Sequence, residues 1–293
     1  MALITEARSV CAAQALLGEG PVWDAARQVL WFVDIKRRLL WCHDPADGVN
    51  TSFPAPGQIG WALPAEDGLL LCGLQDGLYR FDPATALFSL LCTVPGEPAG
   101  NRLNDACTDP WGRVWFGSMD DAESQQSGRF YCFDRGSVTP AGPSGYAITN
   151  GPAVDPLHGL IYFTDTLGKR IVVADLTAAG AGDIRPFADC ARDFPQAYPD
   201  GPVVDAEGCL WTGLYLGSAA ARYDARGTLI DRVAMPARDV TKIAFGGVDL
   251  MTMFVTTATK DVADDERRNC PLAGHLLAMP SSVRGTVSVP VRW

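Results

Sequence analysis

DGPVVDAEG, residues 200–208, is the third appearance of a phrase that the chain also spells as EGPVWDAARQ at 19–28 and NGPAVDPLHG at 150–159. The leading residue changes from Glu19 to Asn150 to Asp200, while the Gly-Pro, the apolar pair and the turn acid persist. Three more segments share this grammar and begin at Trp61, at Asn104 (NDACTDPWGRVWFG) and at Lys242 (KIAFGGVDLMTMFVTTA). Each holds a short apolar run, a turn, and a β-branched or aromatic run such as VLWFVD, followed by further strand and turn signals. Evenly spaced short strands punctuated by Asp, Gly and Pro describe an antiparallel meander. A period of about 45 residues is that of a propeller blade, and closing the blades into a ring removes exposed sheet edges.

The expected fold is therefore all-β, a six-bladed β-propeller forming one domain over residues 1–293. Extra strands near Leu3–Ala12 and Gly285–Arg292 are expected to complete blades and fasten the circle. A β-sandwich or two smaller β-domains would suit the length equally, but they carry no sequence period.

Composition limits the partners. The hydrophobic share of 47% with 20% charged residues is that of a globular protein, and a formal charge of −10 disfavours nucleic acid or an anionic membrane face. No run approaches the roughly 18 apolar residues of a membrane span, and no signal-peptide pattern opens the chain, so the expected location is the cytoplasm. Nine cysteines without a CxxC pair agree with a reducing compartment, each serving as a small hydrophobe.

The repeats also locate the chemistry. With the segments aligned on Asp24, Glu66, Asp109, Asp155 and Asp205, five residues back stand Glu19, Trp61, Asn104, Asn150 and Asp200, with Lys242 as the sixth. The first strand of every blade lines the channel, so these positions converge on one axis. Glu19, Asn150 and Asp200 are oxygen donors, a hard set suited to Ca²⁺, Mg²⁺, Mn²⁺ or Fe²⁺ more than to structural Zn²⁺. Three protein ligands leave room for water and substrate, as in a catalytic centre. A single Asn-Gly or Asp-Gly is usually just a turn; three such positions in register, one of them a Glu, are not. Arg102 shares the strand face of Asn104 and offers a forked cation to a sugar hydroxyl or a developing oxyanion. In the polar loop GSMDDAESQQSG, Asp120, Asp121 and Glu123 are either channel contacts or a solvated turn. His43, His158 and His275 sit in turn or strand-end contexts and are read as surface or core residues.

LGEGPVWD, NRLNDACTDPWGRVWFGSM, TNGPAVDP, YPDGPVVDAEGCLW and KIAFGGVDLMTMFVTTA, in this order over nearly the whole chain, resemble the SMP-30/gluconolactonase/regucalcin family. ITNGP, FTDT and CPLAGHLLAMP are most similar to its bacterial pentonolactonases such as xylonolactonase. The resemblance implies a six-bladed propeller that hydrolyses a sugar lactone to the open aldonic acid with one divalent ion: Fe²⁺, Mn²⁺, Zn²⁺, Mg²⁺ or Ca²⁺. It implies Glu19, Asn150 and Asp200 as metal ligands, Asp200 also as acid/base, and Arg102 and Asn104 as substrate contacts. Where the family often has a Glu after GTM, this chain has GSM followed by Asp120 and Asp121, which makes Asp121 the corresponding candidate. Two alternatives accompany this expectation: a regucalcin-like propeller that binds calcium and ligand without turnover, and a hydrolase of other esters such as organophosphates.

Overall fold

The computed structural model describes residues 7–263 and 268–293. After β1 (Arg8–Cys11), four strands form the first sheet: β2 (Gly18–Asp24), β3 (Val29–Asp34), β4 (Leu39–His43) and β5 (Asn50–Pro54). The second holds β6 (Ile59–Pro64), β7 (Leu70–Leu74), β8 (Gly77–Asp82) and β9 (Leu87–Cys92). The third holds β10 (Asn101–Thr108), β11 (Val114–Asp120), β12 (Gly128–Asp134) and β13 (Ser137–Tyr146). The fourth has five strands: β14 (Thr149–Asp155), β15 (Leu160–Asp165), β16 (Arg170–Thr177), β17 (Gly180–Ala181) and β18 (Arg185–Asp189). The last sheet has eight: β19 (Tyr198–Val204), β20 (Leu210–Tyr215), β21 (Ala219–Tyr223) and β22 (Leu229–Ala234) meet β23 (Val240–Gly246), β24 (Thr252–Thr257), β25 (Leu276–Pro280) and β1. Its halves join through one parallel pairing, Gly201 opposite Lys242, and every other ladder is antiparallel.

The architecture is all-β and propeller-like. The innermost strands touch in a closed cycle, β2 to β6, β10, β14, β19, β23 and back to β2. Burial falls outward along each sheet: every residue of β2, β3 and β23 is buried, while β5, β9 and β22 are largely exposed. Inner strands are covered on both faces by neighbouring sheets, so they are buried along their length, polar residues such as Glu19, Asn104 and Asp200 included. Each large apolar side chain buried there contributes about 1.5–3 kcal/mol.

The turn acids are structural. Asp109 accepts from Trp111 N, Arg113 N and Trp115 Nε1 and pairs with Arg113, and Asp205 likewise accepts from Glu207 N, Cys209 N and Trp211 Nε1 and pairs with Arg222. Asp24 repeats the motif with Arg27 and Trp31. Each buried carboxylate is thus satisfied by a turn, an indole and a guanidinium contributed by its own repeat.

Chain closure follows the sequence expectation at one end and departs from it at the other. β1 pairs with β25 and so ties the two ends of the chain into one sheet; the Leu3–Glu6 part of the expected strand lies outside the described residues. Residues 285–292 form no strand. They make only isolated bridges, Gly285 with Asp205 and Val291 with Ala65, and Arg292 N donates to Gly112 O. A segment passing from sheet to sheet meets each for a residue or two, and no ladder can propagate. No helix among the described residues is long and apolar enough to cross a membrane.

Candidate active site

The six strands of the inner cycle share a defect. Their ladders shift register at Glu19–Val22, Ile59–Trp61, Leu103–Ala106, Asn150–Ala153, Pro199–Pro202 and Val240–Ile243. A bulge bends a strand and re-aims its side chains. The residues that sequence alignment placed at one level therefore sit in or beside an interruption that turns them toward the axis.

Five of them meet. Glu19, Arg102, Asn104, Asn150 and Asp200 line one cavity of about 250 Å³. All are buried, Glu19 at 3% exposure and Asp200 at 6%. Trp61 does not join them; it packs in the apolar core and borders a separate cavity at the other end of the axis. His43, His158 and His275 hydrogen-bond to Asn50, Asp155 and Ser9, away from this wall.

The site is held by its own hydrogen bonds. Asn104 Nδ2 donates to Thr149 O at 2.6 Å and to Asn150 Oδ1 at 3.0 Å, while Asn150 Nδ2 donates to Thr166 Oγ1 at 2.9 Å. These bonds orient the Asn150 amide with its oxygen toward Asn104. Thr212 Oγ1 accepts from Asp200 N and donates to Asp200 O, which fixes that backbone. Arg102 donates through Nε to Asp121 at 2.9 Å and through Nη1 to Asn104 Oδ1 at 2.5 Å, leaving Nη2 as the arm without a partner among the described residues.

Asp121 stands behind Arg102 rather than in the cavity wall. Lys36 Nζ donates to its Oδ1 at 2.6 Å and Gln58 Nε2 to its Oδ2 at 2.9 Å, and it is Glu123, two residues on, that reaches the cavity.

Electrostatics distinguish the two axial acids. Neither Glu19 nor Asp200 makes an ion pair among the described residues; Glu19 Oε2 accepts only from Gly20 N, at 3.0 Å. Burial first, and then the charge of Asp105, pushes the Glu19 carboxyl up to about 8, against the opposing pull of Lys242. Asp200 is raised well above the ordinary carboxylate range by burial, followed by the charges of Glu19 and Asp105. Both cost free energy as unpaired anions in a low dielectric. Among the described residues no group of three or more His, Cys, Asp or Glu side chains is arranged to hold a metal; the Asn150 carboxamide lines the same cavity as the two carboxylates.

Asp105 went unread from the sequence. It pairs with Lys242 Nζ and accepts from Gly151 N at 2.8 Å, so a buried ion pair ties β10 to β14 and β23 around the axis. Period-two alternation turns Asp105 away from the side of Asn104; the bulge brings both inward. The glycines after the three phrase-leading residues also differ in role. Gly20 (φ +54°) and Gly151 (φ +77°) are left-handed, whereas Gly201 is not, and a Cβ there would lie 2.6–2.7 Å from Lys242 Cγ, Cβ and Cδ. Gly201 thus makes room for the Lys242 stem.

The chain is similar to several known proteins along almost its full length. A 6-deoxy-6-sulfogluconolactonase of Pseudomonas putida is 29% identical over 92% of this chain and 93% of its own. An L-arabinolactonase of Azospirillum brasilense is 34% identical over 88% of this chain and 86% of its own. Among solved structures, a calcium-binding regucalcin of Agrobacterium tumefaciens superposes with a TM-score of 0.94 at 29% identity, covering 99% of this chain and 98% of its own. The family model described as SMP-30/Gluconolactonase/LRE-like region matches residues 17–259, and the chain belongs to that family.

Proposed function

We propose that the protein is a single propeller domain hydrolysing a small sugar lactone, a pentono- or hexono-lactone of the xylonolactone kind, to its aldonic acid with the help of one divalent cation. The eight-stranded sheet counts as two blades in this reading, which makes six. The observation that carries the proposal is the convergence of Glu19, Asn150, Asp200 and Arg102 on one cavity, with both carboxylates buried and lacking a protein cation. Relatives named as lactonases support the substrate class.

The donor set fits a hard divalent cation: two carboxylates raised by burial and mutual repulsion gain most from such a charge, and a carboxamide oxygen completes an all-oxygen set. Glu19, Asn150 and Asp200 would hold it. When bound, it polarises the lactone carbonyl and favours negative charge on its oxygen. The residues do the rest. Asp200 takes the proton of the attacking water at its carboxylate and returns it to the ring oxygen as the C–O bond breaks. Arg102 Nη2 donates to the substrate, with the guanidinium fixed in place by Asp121 and Asn104; Asp121 acts through Arg102 in this assignment. Exclusion of water by the buried floor strengthens each of these interactions.

Addition of an aldonolactone at neutral pH should release protons well above the spontaneous rate, chelation should abolish the excess, and a divalent ion should restore it. Full activity in protein verified to be metal-free would overturn the metal-dependent reading. Binding of Ca²⁺ without proton release would favour the second reading, a ligand-binding propeller, which the likeness to the calcium-binding Agrobacterium protein supports. Faster turnover of a phosphotriester than of a lactone would point to other esters.

Arg102→Ala should lower kcat/KM by about 1.5–4 kcal/mol, the range for a charged hydrogen bond or an oxyanion donor, with metal affinity nearly unchanged. Steady-state kinetics beside metal titration test this, and unaltered kinetics would leave Arg102 a purely structural residue.

A further inference from the structure

The floor of the cavity carries the chemistry proposed above, and its mouth carries a second polar device. Lys260, just beyond β24, pairs with Glu123, which lies beyond β11 and 137 residues away in sequence. Both side chains line the cavity. Their inner strands, β23 and β10, lie three steps apart in the cycle of inner strands, so the pair spans the mouth from opposite sides.

Both ends are built to hold position. The Asp120 carboxylate accepts from Ser124 N at 2.9 Å, Ser124 Oγ at 2.9 Å and Gln125 N at 2.8 Å, while Glu123 N donates to Asp120 O at 3.0 Å. Glu123 is held at φ +59°, a region that residues other than glycine resist. On the other side Thr259 N and Lys260 N both donate to Leu16 O, and the neighbouring Asp261 accepts from Tyr215 Oη at 2.8 Å. The paired side chains remain 28% and 30% exposed, and ion pairs of that kind add little to stability. A fixed geometry of little stabilising value, placed on the wall of a binding cavity, indicates recognition.

The chemistry of the mouth selects the group recognised. Glu123 offers acceptors and Lys260 donors side by side, and a hydroxyl, which donates and accepts at once, can bridge them without leaving either charge unpaired. Among the described residues of the mouth, an anionic substituent would meet two acids, Glu123 and Asp261, against one cation, Lys260. The other cation of the wall, Arg102, shares its charge with Asp121 through Nε, and its remaining arm, Nη2, serves the floor in the lactonase reading. Resting on the lactonase reading of the floor, we propose that Glu123 and Lys260 are specificity-determining residues that bind the exocyclic hydroxyls of a neutral aldonolactone and disfavour lactones with an acidic terminal group.

The test uses Lys260→Met and Glu123→Gln, each checked for fold by circular dichroism and for metal content. Substrates are a neutral aldonolactone, its analogue with a terminal carboxylate, and unsubstituted γ-butyrolactone. Either variant should raise KM for the neutral aldonolactone about tenfold, the worth of one charge-assisted hydrogen bond, and leave kcat within about twofold. γ-Butyrolactone, which has no hydroxyls, should show no change in KM. Calorimetric binding of a 1,4-anhydroalditol, which keeps the hydroxyls but has no carbonyl to attack, should weaken by a similar factor. The unaltered protein should prefer the neutral lactone over the carboxylate analogue, and Glu123→Gln should narrow that preference. Unchanged KM and unchanged alditol binding in both variants, or equal losses on γ-butyrolactone, would overturn the proposal while leaving the lactonase reading intact. An unaltered protein that opens none of the three lactones would overturn the reading itself, and the proposal with it.

Discussion

Asp200→Asn, saturated with metal, is expected to retain no more than about one hundredth of the unaltered kcat, the usual worth of a general base. The substitution keeps the size of the side chain and one oxygen donor, so metal binding should survive at higher metal concentration. What it removes is basicity. Asp200 is suited to proton transfer because it is buried on the cavity wall beside Glu19 and no protein cation pairs with its carboxyl among the described residues. Its backbone is clasped by Thr212 at both N and O, so the isosteric amide should sit in the same place. Measuring kcat across a metal titration, with occupancy determined independently, separates the two roles of this residue. Recovery of nearly full kcat at full occupancy would show that Asp200 serves as a ligand and the base lies elsewhere.

Metal affinity is expected to fall steeply as pH is lowered, by up to about a hundredfold per unit once both axial carboxyls are protonated, because binding must then displace two protons. The Glu19 carboxyl is pushed up to about 8 and Asp200 is raised as well, so the decline begins below about pH 8. The sign for the metal-free protein follows from the same shifts. Between the unfolded carboxylate pKa of about 4.3 and the raised native value, the folded state binds more protons than the unfolded state, so stability from this group declines as pH rises. A bound cation opposes that decline. Thermal melts with and without a divalent ion should therefore show a metal-induced rise in Tm that is several degrees at pH 8 and shrinks toward pH 5, since saturation at about 1,000 times Kd contributes about 4 kcal/mol. A rise that is constant or larger at acid pH would mean that the ion binds elsewhere.

Much of the architecture was legible because the determining interactions repeat within each unit. The Asp-x-x-Gly turn, the Trp six or seven residues beyond the acid and the nearby Arg close on one another inside single sheets, as at Asp109, Arg113 and Trp115. Local chemistry of that kind imprints a period, and the period implies a ring. The ring in turn brings Glu19, Asn104, Asn150 and Asp200 together, since equivalent positions of a cyclic repeat must face one axis. The unpaired state of the two acids was not legible, nor was the register break that aims them.

What the sequence determined by itself is the repeat, the all-β class and the residues facing the axis, because each depends on patterns a few residues long. The tertiary structure alone decided the partners across the ring. Asp105 turns inward beside Asn104 through a bulge, Lys242 crosses Gly201 to reach it, Lys36 reaches Asp121 behind Arg102, and Glu123 meets Lys260 over the mouth. These contacts join units separated by up to 137 residues, and neither member of a pair carries a local mark of the other. The physical reason is that a repeat encodes each blade's own hydrogen bonds, whereas charges converging from different blades are matched only once the ring has closed.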